Sequence, residues 1–303
     1  MNRLKNHLKS KFKMKELGRI SDFLGIHFVQ SRTKIEMDQT QYLLKILQKY
    51  GMKECKPRYT PAEPKSKQNP APPDSTAVES PRSYREIVGS LLYATTCTRP
   101  DLSWVVSRLS QHLSNPAPTD WVMLKHVLRY VKGTADQKLT YTKSAGVGLS
   151  VCGYSDSDWA SSIDRRSTTG YYFSLNPSGP PVSWKSRKQQ TVALSSCEAE
   201  YMALSAATQE ALYLITVTED LKFAEKTPVI IHSDSQSALD LVRNPINHDR
   251  TKHIDIRYHF VREQWAKKTI GYEYLPRDKN VADVMTKPAT KHSLSQFHNL
   301  LFG

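Results

Sequence analysis

Apolar positions change period several times along this chain. Ile20, Phe23, Leu24, Ile26 and Phe28 form a strand-like cluster, and Gln30 to Met37 is a polar hairpin candidate. Tyr42, Leu43, Leu44, Ile46, Leu47 and Tyr50 then recur at helical spacing. Gly51 directly after them predicts that helix's stop. Seven of the 17 prolines fall between Lys56 and Pro81. Proline fixes φ and removes a donor, so residues 57–81 read as an extended linker.

From Tyr84 to Val131 the pattern is helical. Ile87, Leu91 and Leu92 belong to one helix, and Leu102, Val105, Val106 and Leu109 to a second after Arg99-Pro100. Val122, Leu124, Val127, Leu128 and Val131 form a third, beyond a break at Asn115–Thr119. Lys125, Arg129 and Lys132 decorate it.

From about residue 146 short β-rich runs alternate with helices. Leu149–Tyr154 leads into Asp156. Thr168–Leu175 and Val182–Trp184 are further strands around a turn at Asn176–Gly179. A long helix spans about Ser195 to Leu221, and Val229–Ile231 is a strand ending at Asp234. Ala238, Leu241 and Val242 suggest a helix, as does Ile254–Lys267. A strand over Thr269–Leu275 and a closing helix from Asn280 complete the series. Three strands, helix, strand, helices, strand and helix make a mixed, layered α/β domain. Trp159 and Trp184 are expected in its core.

Composition narrows the class. Of 303 residues, 39% are hydrophobic and 24% charged, ordinary globular values that exclude wholesale disorder. No apolar run approaches the roughly 18 residues of a membrane span, and the first residues lack an apolar signal core. Cys55, Cys97, Cys152 and Cys197 lie far apart without a Cys-x-x-Cys pair. That fits reduced intracellular thiols rather than a disulfide scaffold or zinc module. The net charge of +14 is unevenly placed: residues 1–150 hold 25 Lys+Arg against 12 Asp+Glu, and residues 151–303 hold 18 against 17. A basic first half suggests a polyanionic partner, most plausibly nucleic acid.

Carboxylates recur where an α/β sheet would bring them together. Asp156 and Asp234 fall at strand ends, Glu198 and Glu200 in the first turns of the long helix, and Asp283 at the start of the last helix. Four converging carboxylates repel one another unless cations neutralise them. Oxygen ligands without His or Cys favour Mg²⁺ or Mn²⁺. Two such ions suit in-line phosphodiester hydrolysis. Glu198 and Glu200 are two apart, so they point to opposite sides of a helix and spacing alone does not choose between them.

The runs Gly153-Tyr154-Ser155-Asp156-Ser157-Asp158-Trp159-Ala160, Asp164-Arg165-Arg166-Ser167-Thr168-Thr169-Gly170-Tyr171, Ser195-Ser196-Cys197-Glu198-Ala199-Glu200-Tyr201, Lys252-His253-Ile254-Asp255 and Val281-Ala282-Asp283-Val284-Met285-Thr286-Lys287 resemble the ribonuclease H domain of copia-type retrotransposon Pol polyproteins. Phe12–Gly18, Thr60-Pro61, Tyr84–Tyr93 and Arg99-Pro100-Asp101 are similar to the end of the reverse transcriptase in the same family. The resemblance implies a ribonuclease H-like mixed five-stranded sheet with flanking helices over residues 146–290. A smaller α+β or helical thumb and connection remnant over 1–145 would precede it, and a tail, 291–303, would follow. It also implies that Asp156, Glu200, Asp234 and Asp283 hold two Mg²⁺ ions (Mn²⁺ as an alternative) and cut the RNA strand of RNA–DNA hybrids. Glu200 is favoured over Glu198 because a bulky residue and small helical residues follow it, and Asp158 would stand beside the ligands. Arg165, Arg166, Lys185, Arg187 and Lys188 are the first candidates for phosphate contacts.

Two departures qualify the match. Tyr274–Lys279 lacks the His that many ribonucleases H carry before the last ligand; His253 or His259 is a spatial substitute, against the favoured reading of each as a plain helix-surface or core histidine. The chain also contains no Asp-Asp pair, hence no Tyr-x-Asp-Asp polymerase turn. Polymerisation is not expected from the chain alone, and a partner chain supplying the missing reverse-transcriptase part is a natural complement. The expected setting is intracellular: a cytoplasmic virus-like particle, the nucleus, or both. The alternative reading is a non-catalytic nucleic-acid-binding remnant.

Overall fold

The computed structural model describes residues 2–63, 81–143, 150–160, 164–222, 228–244 and 252–303. Helix α1 (Asn2–Lys11) leads into an antiparallel set, β1 (Asp22–Phe23), β2 (Ile26–Gln30) and β3 (Lys34–Asp38). The hairpin expected between Gln30 and Met37 is the β2–β3 turn. Helix α2 (Thr40–Lys49) buries Leu43, Ile46 and Leu47. It ends where Gly51 takes a left-handed φ of 66°, a conformation that costs a residue without Cβ little.

The helical block comprises α3 (Pro81–Cys97), α4 (Ser103–Ser110) and α5 (Pro118–Gly133). Pro118 opens α5, where its missing N–H leaves nothing unpaired. The Asp120 carboxylate folds back to accept from Ala117 N–H at 2.8 Å. Tyr84, Val88, Leu91, Leu102, Val106, Leu109, Leu124 and Val127 pack with α2 into one core. Inside it Arg99 is wholly buried. Asp101 holds its Nε at 2.9 Å and Nη2 at 2.7 Å, and the Thr134 carbonyl holds Nη1 at 3.0 Å. Of the expected Pro-rich linker, the part up to residue 63 is packed on the block. Pro61 and Ala62 are buried, and Arg58 N–H donates to the Arg129 carbonyl of α5 at 3.1 Å. Residues 64–80 lie outside the described set.

The sequence pattern did not single out β4 (Leu139–Thr142). It pairs antiparallel with β3, Lys34 opposite Thr142, and completes a four-stranded sheet.

The second sheet is built from β5 (Cys152–Asp158), β6 (Thr168–Ser174), β7 (Pro181–Lys188), β8 (Val229–Ser233) and β9 (Ile270–Tyr274), in the order β7-β6-β5-β8-β9. β5, β6 and β7 are mutually antiparallel, whereas β8 runs parallel to β5 and β9 parallel to β8. Helices α6 (Ser196–Asp220), α7 (Gln236–Arg243) and α8 (Lys252–Ala266) flank the sheet, with Tyr201, Leu204 and Ala207 of α6 packed on Phe173 and Ile231. This is the mixed five-stranded α/β architecture expected for the second half.

The closing helix expected from Asn280 is instead a single 3₁₀ turn, Val281–Met285. Asn280 caps it by accepting from Ala282 N–H and fastens it to β5 by donating to the Ser155 carbonyl at 2.9 Å. Helices α9 (Lys291–Gln296) and α10 (His298–Phe302) follow. They bury Phe297, Leu301 and Phe302 in a core shared with Leu139 of the first sheet and Tyr154 and Tyr172 of the second. Trp184 Nε1 donates to the Thr95 carbonyl of α3 at 2.7 Å, so the two halves are continuous in packing.

Candidate active site

Three carboxylates meet at the β5–β8 end of the second sheet. Asp156 lies within β5, two residues before its end, rather than at the strand terminus expected. Asp234 follows β8 immediately, and Glu200 projects from the second turn of α6. One oxygen from each lies within 4.8 Å of the others. A cavity of about 520 Å³ opens over them, lined also by Trp104, Asp158, Trp159, Arg277 and Lys287.

Local chemistry separates the two helix glutamates. Ser195 caps α6 by accepting from Glu198 N–H at 3.1 Å, and the Glu198 carboxylate turns back to accept from Leu194 N–H at 2.8 Å. Glu198 is thus a helix-start group. Glu200 lies on the sheet side, where Ser157 N–H donates to its Oε1 at 3.3 Å. Asp158 is engaged by Thr168 N–H across the β5–β6 pair.

Burial dominates the electrostatics. Asp156 is almost completely buried. Desolvation pushes its carboxyl up to about 7, opposed by the Lys287 charge and the Thr286 hydroxyl and reinforced by Asp234 and Asp283. Glu200 is raised well above the usual carboxylate range, first by burial and then by Asp156 and Asp234. Glu200 Oε2 and Asp234 Oδ1 are buried with no hydrogen-bond partner. Unpartnered oxygens on crowded carboxylates fit a hard divalent cation such as Mg²⁺ or Mn²⁺, which supplies charge and takes oxygen ligands.

Asp283 does not join the other three. It accepts from Lys287 Nζ, and Arg277 Nε lies 3.7 Å from the same oxygen. Thr286, on the same turn, donates to Asp156 Oδ2. The turn therefore reaches the cluster through Thr286 and Lys287, while Asp283 stands one cation away.

The basic candidates are distributed differently from expectation. The cations lining the carboxylate cavity are Arg277 and Lys287. Lys185, Arg187 and Lys188 line a second cavity beside β7. Arg165 is exposed with a left-handed φ of 61°, and Arg166 is exposed 3.6 Å from Asp164, which also pairs with Lys188 at 2.8 Å. Sequence reasoning missed Thr286, Lys287, Trp104 and the role of Trp159. The signal for Lys287 was its i,i+4 spacing from Asp283. Trp159, expected in the core, follows β5 and is 54% exposed, its indole donating to the Ala193 carbonyl at 3.3 Å. His259 is exposed, and the His253 side chain lies outside the described set. Among the described residues no helix is long and apolar enough to cross a membrane.

Comparison with known proteins matches residues 1–64 to a family model described as reverse transcriptase (RNA-dependent DNA polymerase). The chain is 37% identical over 96% of its length to the retrovirus-related Pol polyprotein from transposon TNT 1-94 of Nicotiana tabacum, covering 22% of that protein. It is 36% identical, again over 96% of its length, to the corresponding polyprotein from transposon RE2 of Arabidopsis thaliana, covering 20% of it. The chain thus spans about a fifth of the length of these relatives. Among solved structures it is similar to the N-terminal RNase H domain of a Mycobacterium tuberculosis protein, with 17% identity and a TM-score of 0.35 over 49% of this chain and 99% of that one. With such relatives matched along 96% of its length, the chain belongs to the copia-type retrotransposon Pol family.

Proposed function

We propose that this chain hydrolyses the RNA strand of RNA–DNA hybrids as the ribonuclease H component of retrotransposon reverse transcription. The observation that carries the reading is the meeting of Asp156, Glu200 and Asp234 within 4.8 Å, with buried oxygens of Glu200 and Asp234 unpartnered. Such a site favours a divalent ion strongly and has little other use in a fold that has to bury it.

Asp156, Glu200 and Asp234, with Asp283 once released from Lys287, would hold two Mg²⁺ ions. Such ions would supply the activation of a water for in-line attack and the charge that stabilises the departing oxygen. The chain's own groups do the rest. Thr286 fixes the Asp156 carboxylate by hydrogen bonding, and Ser157 N–H orients Glu200. Arg277 and Lys287 line the cavity where a scissile phosphate would carry its negative charge. The basic side chains Arg165, Arg166, Lys185, Arg187 and Lys188 contribute sequence-independent attraction to the backbone.

The test is cleavage of an end-labelled RNA–DNA hybrid by the full chain, with Mg²⁺ and with EDTA. Cutting of the RNA strand that requires the metal and disappears in Asp234→Asn is expected. Hybrid binding by folded protein without any cleavage would overturn the enzyme and leave a binding remnant.

A further inference from the structure

Away from the carboxylates, the second cavity, of about 350 Å³, opens between β7, α6 and α8. Lys185, Arg187 and Lys188 line it from the strand and Arg257 from α8, with Gln190 and Gln209 beside them. The carboxylate that lines it, Glu210, is already committed. Its Oε2 accepts from Tyr171 OH at 3.0 Å and its Oε1 from Ser183 Oγ at 2.7 Å. Lys188 is paired with Asp164, but no ion pair is found for Lys185, Arg187 or Arg257 among the described residues. Arg257 Nη1 is buried with no hydrogen-bond partner. A desolvated guanidinium N–H without an acceptor is costly, and neighbouring cations add repulsion. An anion with several acceptor oxygens would satisfy the N–H and neutralise the group together. Phosphate has that geometry, and arginine's planar fork is suited to it.

We propose that this cavity is a phosphate-binding site for the nucleic-acid backbone, with Arg257 and Arg187 as its principal donors, and that it grips the substrate independently of the divalent metal. The site rests on the nucleic-acid-binding part of the function proposed above and not on the cleavage chemistry. Its walls β7, α6 and α8 are regular elements, so the backbone positions of the donors are set before substrate arrives, and the grip requires no rearrangement of the carboxylate end.

The experiment measures binding of a fluorescent RNA–DNA hybrid to the full-length chain in EDTA between 50 and 200 mM salt, for the wild type, Arg257→Gln and Arg187→Gln. Each substitution is expected to weaken binding about three- to tenfold and to lower the slope of log affinity against log salt by about 1. Inorganic phosphate at millimolar concentration is expected to raise the melting temperature of the wild type and not that of Arg257→Gln. Unchanged affinity and slope in both variants, with native circular dichroism, would overturn the proposal. Stabilisation by phosphate with hybrid binding unaltered would also overturn the backbone assignment, leaving a site for small phosphates. If Arg257→Gln fails to fold, Arg187→Gln, on an exposed strand position, decides alone. Failure of the nuclease reading would appear separately, as wild-type protein that does not cut with Mg²⁺ whatever the outcome in EDTA.

Discussion

The ammonium of Lys287 lies 3.7 Å from Asp156 Oδ2 while it donates to Asp283 Oδ1. A single lysine thus stands where the carboxylates need positive charge, bridging Asp156 and Asp283. A divalent ion and this ammonium compete for the same oxygens. Lys287→Met is expected to tighten Mg²⁺ binding several-fold and to lower metal-free stability by about 1–3 kcal/mol, since the buried Asp156 loses the nearest positive charge and Asp283 a hydrogen-bond donor. Calorimetric titration of Mg²⁺ into both proteins checks this, and weaker binding in the variant would show the lysine assisting rather than competing.

The raised Asp156 carboxyl gives a pH signature with an unusual sign. An ordinary Asp titrates near 3.9 in the unfolded chain, and in the folded protein without metal this one reaches about 7. The folded state binds the proton more tightly, so this contribution is present at low pH and is lost as pH rises from about 4 towards 7. Glu200 shifts the same way. In EDTA, Asp156→Asn should therefore melt at increasingly higher temperature than the wild type between pH 5 and pH 8. A difference that stays flat across that range would rule the coupling out.

Gly170 of β6 sits beneath the turn that carries Asp283. A Cβ there would lie 2.6 Å from Thr286 Cγ2 and 2.8 Å from Met285 Cβ. Gly170→Ala should push the turn outwards, costing about 1–3 kcal/mol and loosening the Thr286–Asp156 bond. Denaturant unfolding reads the first effect and single-turnover hybrid cleavage the second. Wild-type behaviour in both would mean that the turn has room to shift.

Trp159 offers an exposed indole at the rim of the carboxylate cavity, and Trp104 of α4 lines the same space from the other half of the chain. Exposed aromatic faces beside cations are stacking surfaces for bases. Trp159→Ala is expected to weaken hybrid binding about tenfold with little change in melting temperature. Quenching of tryptophan fluorescence by hybrid, diminished in the variant, is the direct readout, and equal quenching would remove Trp159 from the interface.

Legibility in the sequence followed the range of the interactions involved. Helices α2 to α6 were readable because each carries its own apolar period and its own punctuation, such as Gly51 or Pro118. β4 was not, because a four-residue strand acquires its meaning only from β3, which lies before the whole helical block. The carboxylates could be picked out individually, and the resemblance favoured Glu200. The physical distinction between Glu198 and Glu200 came from a backbone contact, Leu194 N–H to Glu198. Asp283 was expected among its fellows on the strength of sequence order. Its displacement depends on where the Lys287 ammonium points, which no linear pattern records. Trp159 misled because a tryptophan after a strand reads as core, whereas here its indole meets the distant Ala193 carbonyl and stays exposed.

The pairing of β3 with β4 also bears on how the chain acquires its shape. As synthesis proceeds, the β2–β3 hairpin emerges before its mate, with one edge unsatisfied, and Leu139–Thr142 follows only after α2 to α5 have been made. Until then that edge is open to pairing with other chains. Closing so long a loop is slow compared with local helix formation. The helical block therefore has to assemble first and deliver Leu139–Thr142 to the waiting edge. A nascent chain stalled between β3 and β4 would leave exposed the β3 edge that β4 covers in the finished sheet.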